Sequence, residues 1–181
     1  HAVAVGQNGL ILFSSDGGVH WEKSDAGVTK HLIGVDFLTP ETGVVVGDGS
    51  TVFQNTDGGE HWTSLEYDET SNLYDIHMFD DRTFIICGDS SSRTTDGGIT
   101  WTRMNLENTG EGQRFHFHDD NTGILAYSSY RTYDGGKTWI EGDFIAAVYF
   151  SDASRWTGVG SFGFYQSSDA GASWERAVSF I

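Results

Sequence analysis

Ser14-Ser-Asp-Gly-Gly-Val-His-Trp21 returns as Asn55-Thr-Asp-Gly-Gly-Glu-His-Trp62, Thr94-Thr-Asp-Gly-Gly-Ile-Thr-Trp101, Thr132-Tyr-Asp-Gly-Gly-Lys-Thr-Trp139 and Ser167-Ser-Asp-Ala-Gly-Ala-Ser-Trp174. Successive tryptophans lie 41, 39, 38 and 35 residues apart, a period that marks a repeat architecture. The chemistry of the eight residues is that of a turn. A short polar residue, Asp, then Gly-Gly or Ala-Gly is a hairpin-loop composition. The carboxylates of Asp16, Asp57, Asp96, Asp134 and Asp169 can accept backbone N–H groups that follow them, and glycine supplies φ > 0. Trp21, Trp62, Trp101, Trp139 and Trp174 each open the next strand and can fold back over the turn. Burial of a Trp hides roughly 150–250 Å² of surface, so these five are expected to be structural staples.

Between the signatures the residues divide into short strands. Leu32–Leu38, Gly43–Gly47, Ser50–Gln54 and His61–Leu65 are separated by Thr39-Pro-Glu-Thr42, by Asp48-Gly49 and by the signature itself. Four strands in a period near 40 is a propeller blade. The N-terminus starts at a second strand, Ala2–Gly6, and Ala177-Val-Ser-Phe-Ile181 resembles the first strands Val35–Leu38 and Val148–Ser151. The expected fold is therefore all-β: one domain over 1–181, a five-bladed β-propeller of four-stranded antiparallel blades, closed by the C-terminal strand joining the N-terminal blade. Closure removes open sheet edges.

The eight-residue signature resembles the Asp-box, or bacterial neuraminidase repeat, with the pattern Ser/Thr-x-Asp-x-Gly-x-x-Trp. The fuller repeat from Thr42 to Trp62 resembles the propeller family of photosystem II assembly and stability factors, and this likeness extends over essentially the whole chain. Members of that family usually have seven blades and a basic patch; this chain has five signatures and is acidic. The resemblance implies a non-catalytic scaffold with a protein partner, and an exported, extracellular or lumenal setting. Sialidases, xyloglucanases and sorting receptors carry the same box.

Composition narrows the function classes. The net charge is −16, with 26 Asp and Glu against ten Lys and Arg. That opposes nucleic acid as a partner, because phosphate binding needs clustered Lys and Arg. No apolar run is long enough for a membrane span. Nothing at the N-terminus reads as a signal peptide, and His1 in place of Met fits a processed or trimmed start. The one cysteine, Cys87, lies in the apolar run Thr83–Gly88, which favours a buried, inert thiol. No cofactor is expected, and the chain is read as a monomer or a subunit of a larger assembly.

In a propeller the first strand of each blade lines the central channel. Period 2 along those strands selects Asp36, His77, His116, Tyr149 and Ser179 as one ring, and Gly34, Asp75, Arg114, Ala147 and Ala177 as the next. Val35, Ile76, Phe115, Val148 and Val178 form the opposite, apolar parity. Two His with Asp36 could bind a metal, and Asp75 with Arg114 could hold a small polar ligand; a water-filled channel of mutually bonded polar groups explains the same pattern. No metal is assigned. The loops at one end of the blades add Gln7, Asn8, Asp48, Asp89, Ser128, Ser129 and Phe162, with longer connections over Ser24–His31, Glu66–Asn72 and Asn105–Gln113.

A sialidase-like glycoside hydrolase is the alternative. It needs a carboxylate pair, or a Tyr nucleophile with Glu and three converging arginines. Arg93 and Arg131 fall near the signature turns and read as surface, which leaves Arg114 alone in the channel. A five-bladed lectin is a further alternative, with Trp156, Phe162 and Tyr165 stacking on sugar faces.

Overall fold

The computed structural model describes residues 2–106 and 112–178. They build five antiparallel meanders, and in each the strands pair in chain order. The first sheet holds β1 (Ala2–Val5), β2 (Ile11–Ser14) and β3 (Glu22–Ser24). The second holds β4 (Leu32–Phe37), β5 (Gly43–Gly47), β6 (Thr51–Asn55) and β7 (Thr63–Ser64). The third holds β8 (Leu73–Met78), β9 (Phe84–Gly88), β10 (Ser91–Thr94) and β11 (Thr102–Met104). The fourth holds β12 (Arg114–Phe117), β13 (Gly123–Ala126), β14 (Tyr130–Thr132) and β15 (Ile140–Glu141). The fifth holds β16 (Ala147–Phe150), β17 (Trp156–Gly160), β18 (Gly163–Ser167) and β19 (Glu175–Val178). The sheets fall into two compact units, His1–Asn105 and Leu106–Ile181.

The second strands β5, β9 and β13 are buried along their whole length. Val44, Val45, Val46, Phe84, Ile85, Ile86 and Cys87 have no exposed surface, so the lone thiol is buried as its apolar setting suggests. Within the first unit, Ile11, Leu32 and Val45 join the first sheet to the second, with Val3, Val5 and Val35 packed against them. Val44, Val46 and Val52 meet Leu73, Ile76, Phe84 and Ile86 between the second sheet and the third. Within the second unit, Ile124, Ile145 and Trp156 form the corresponding seam between its two sheets. Glycine permits the closest approach in the first unit. A Cβ on Gly34 of β4 would stand 2.9 Å from both Asp75 Cα of β8 and Val46 Cγ2.

One expectation is corrected here. Ala177 and Val178 do not begin a strand against β1. They lie in β19, where Val178 pairs with Phe164 and Arg176 with Tyr165. β19 begins directly after Trp174, once the signature turn has reversed the chain, and serves as the fourth strand of the fifth sheet, while the first sheet has three strands among the described residues. Ser179, placed by its sequence in the ring with Asp36, lies outside the described residues.

Candidate functional site

The signature turns bond in one pattern five times. Ser14, Asn55, Thr94, Thr132 and Ser167 end their strands buried, and each donates to the signature Asp, at 2.5 to 2.9 Å. Each also accepts the N–H of the glycine four residues on, at 2.7 to 2.9 Å. One Asp oxygen accepts the N–H of the residue before Trp, and the other oxygen takes that residue's side chain. The partner is His20 at 2.6 Å, His61 at 2.7 Å, and Thr100, Thr138 and Ser173 at 2.6 Å each. The sequence reading overlooked this last link, although the position holds only His, Thr or Ser in all five copies.

These hydrogen bonds hold the carboxyls down. Asp16 and Asp57 fall to about 2, chiefly through the backbone N–H groups of His20 and His61. Asp96 and Asp169 fall to about 2, chiefly through the hydroxyls of Thr100 and Ser173. A carboxylate saturated by its own turn has little left for general acid–base work. Both turn glycines take positive φ in four copies; in the fifth, Ala170 takes φ 57° beside Gly171 at 77°.

The tryptophans are less buried than expected. Trp21 is 44% exposed and only turns back to donate to Gly18 O at 3.0 Å. Trp101 is half-buried: it meets Tyr67 and Phe84 edge-on and donates to Glu66 O at 2.9 Å. The fully buried Trp is Trp156, outside the signature, at 1% exposure. Trp156 therefore cannot stack on a sugar, while Phe162 stands 75% exposed. Arg131 is not plain surface either: it is half-buried and donates to Gly171 O at 3.2 Å.

In the first unit, Asp36 and His77 come together from β4 and β8. His77 Nδ1 lies 3.5 Å from Asp36 Oδ2, and the same oxygen accepts the N–H of Met78 at 2.8 Å. Asp36 thus ties one first strand to the next, and the His77 ring rests edge-on against Phe79. Asp75 is half-buried on β8, where its backbone passes Gly34. Asp89 is engaged by Asn72 N–H and Tyr74 OH, both at 3.0 Å.

In the second unit, Arg114 and His116 share β12. Burial, then the Arg114 charge, pushes the His116 pKa down, so the imidazole is neutral at pH 7. Arg114 donates to Gln113 O at 2.6 Å. Tyr149 on β16 is 70% exposed. Among the described residues, the His/Cys/Asp/Glu group with metal-ligand spacing is Asp57, Glu60 and His61, all exposed, not Asp36 with the two histidines. His61 Nδ1 is already held by Asp57 there. Five residues of the connection Asn105–Gln113 lie outside the described residues.

Chain-ordered antiparallel meanders with a bonded Asp turn in each define a β-propeller repeat protein. The profile of the photosynthesis system II assembly factor YCF48 family matches residues 20–142, and the chain belongs to that family. Among solved structures it is similar to YCF48 bound to D1 peptide, at 21% identity and TM-score 0.57, over 83% of this chain and 55% of that one. YCF48 from Cyanidioschyzon merolae matches at 21% identity and TM-score 0.54, over the same shares. The GH74 enzyme of Niastella koreensis matches at 16% identity and TM-score 0.65, over 99% of this chain and 38% of that one. The chain spans about half the length of the YCF48 structures, 55% in each case. No curated protein matches the sequence.

Proposed function

We propose that this chain is a non-catalytic propeller that binds a protein partner, in the manner of an assembly factor, in an exported or lumenal setting. The observation that carries the reading is family membership over residues 20–142, beside a solved relative described as bound to a peptide. The first strands supply the contact residues in this reading: Asp36, Asp75 and His77 from the first unit, and Arg114, His116 and Tyr149 from the second. They offer mixed charge and aromatic surface, which suits a polar peptide. The Asp turns serve as fasteners, because their carboxylates are occupied by their own backbone.

The likeness to GH74 enzymes is one of fold and assigns no catalysis at 16% identity. The deciding experiment titrates the D1 peptide of the relative's complex into this chain, with xyloglucan hydrolysis and a glycan array run in parallel. Saturable peptide binding, weakened at least tenfold by Arg114→Ala, is the expected result. Glycoside turnover that disappears with Arg114→Ala would reverse the assignment. Glycan binding without peptide binding would favour a lectin.

A further inference from the structure

The connection from β7 to β8 folds back against the third sheet. Tyr67 in that connection is buried: its hydroxyl meets Ser92 Oγ of β10 at 3.1 Å, and its ring meets the Trp101 indole edge-on at 5.2 Å. The Trp101 N–H in turn donates to Glu66 O at 2.9 Å, so two successive residues of the connection are pinned to the third repeat. Ser92 and Arg103 pair across β10 and β11, which puts their side chains on the same side of the sheet.

These segments leave between them a cavity of about 330 Å³, wholly within the first unit. Trp101 and Tyr67 give it an aromatic wall, and the indole is only half-buried, so an occupant can reach it. The carboxylates of Glu66, Asp68 and Glu69 line the same cavity, against the single guanidinium of Arg103. Ile99, 79% exposed, adds an apolar contact beside the indole. An aromatic face next to carboxylates suits a cation on an apolar stem, because ring and carboxylates attract the charge while Ile99 covers the methylenes. Arg103 displays this preference in weak form. Its Nη1 stands 3.4 Å from Glu69 Oε1 with both side chains exposed, so the pair contributes little and exchanges readily.

We propose that this cavity is a recognition pocket for an arginine side chain of a partner protein. A guanidinium is planar, stacks on an indole and is weakly hydrated, so it gives up less than an ammonium on leaving water. Its N–H groups reach the Glu66 and Asp68 carboxylates while its stem lies on Ile99. The net charge of −16 draws a cationic partner toward the chain. The inference rests on the protein-binding reading above. It adds a second contact, built from none of the first strands, and the class of side chain that fills it.

The test uses the 181-residue chain and a blocked Ser-Leu-Arg-Leu-Ser pentapeptide, followed by proton–nitrogen NMR correlation. The expected result is a saturable shift of the Trp101 indole N–H, with the Trp62 and Trp174 indole signals unmoved. Citrulline, the neutral isostere, in place of the peptide Arg should weaken binding about tenfold, and Lys about threefold. Glu66→Gln combined with Asp68→Asn should weaken it about fivefold with an unaltered melt, because the Glu66 backbone acceptor of Trp101 is retained. If that variant does not fold, Arg103→Gln decides: it removes the resident cation and should tighten binding about twofold. The proposal is overturned by the absence of a saturable Trp101 shift, by equal affinity for the citrulline or Lys peptide, or by unchanged or weaker binding to Arg103→Gln. Binding of the D1 peptide that is weakened by Arg114→Ala, with the Trp101 signal unmoved by either peptide, would defeat the pocket while leaving the protein-binding reading intact.

Discussion

Five aspartates that resemble catalytic acids are the hubs of five turns, and their hydrogen bonds show why. Each carboxylate accepts the backbone N–H and the side chain of one downstream residue, so its charged form is stabilised by the fold itself. The sign of the linkage follows. Asp96 titrates at about 2 in the folded chain, against an ordinary 3.8. Its contribution is complete above pH about 4 and is lost as pH falls toward 2. Asp96→Asn should therefore lower the melting temperature at pH 7, and the gap from the parent should close near pH 2; a gap that persists at pH 2 would show that the charge is not what matters. The tryptophans divide by environment. Trp101→Ala should cost about 3 kcal/mol, the low end for a large aromatic, because it removes contacts to Tyr67 and Phe84. Trp21→Ala should cost under about 1 kcal/mol, since that ring is 44% exposed and its indole N–H bonds within its own turn. Equal losses in chemical denaturation would contradict this division. The motif spelled the turn out in the sequence, but it could not show how much of each ring its neighbours cover.

At the scale of the element, strand identities were legible because apolar runs such as Gly43–Gly47 and Phe84–Gly88 are bounded by turn residues. The first strands were legible too: Val35 and Ile76 pack inward while Asp36 and His77 stand on the other parity. What the alternation could not reveal is that Asp36 reaches the Met78 N–H of the next first strand, because cross-sheet distances are not local. The close pass of β4 over β8 at Gly34 is likewise tertiary. Gly34→Ala puts a methyl group 2.9 Å from the Asp75 backbone, so it should destabilise the first unit by about 1–3 kcal/mol. The unfolding free energy measures this, and an unchanged value would mean that the two strands separate freely. The final strand was misjudged at this scale. Ala177 and Val178 have the apolar character of a first strand, yet β18 stands directly before them across a short turn. Local pairing, with little loop to close, takes them into β19.

For the whole molecule, the charge of −16 is an energy term in its own right. Like charges on a compact surface repel, and salt screens them over about 8–10 Å at physiological ionic strength. Raising NaCl from 10 mM to 300 mM should lift the melting temperature by a few degrees, as followed by circular dichroism; a flat or falling response would show that attractive pairs such as Arg155 with Asp152 dominate instead. The sequence by itself determined the all-β repeat, its five turns, the order of the strands and the family, because each depends on residues within one period of about 40. Tertiary structure alone decided how deeply each Trp is buried, that Trp156 rather than a signature Trp fills a core, and where the last described strand pairs. Those properties depend on contacts between segments far apart in the chain, where packing and competition among strands, not local propensity, set the outcome.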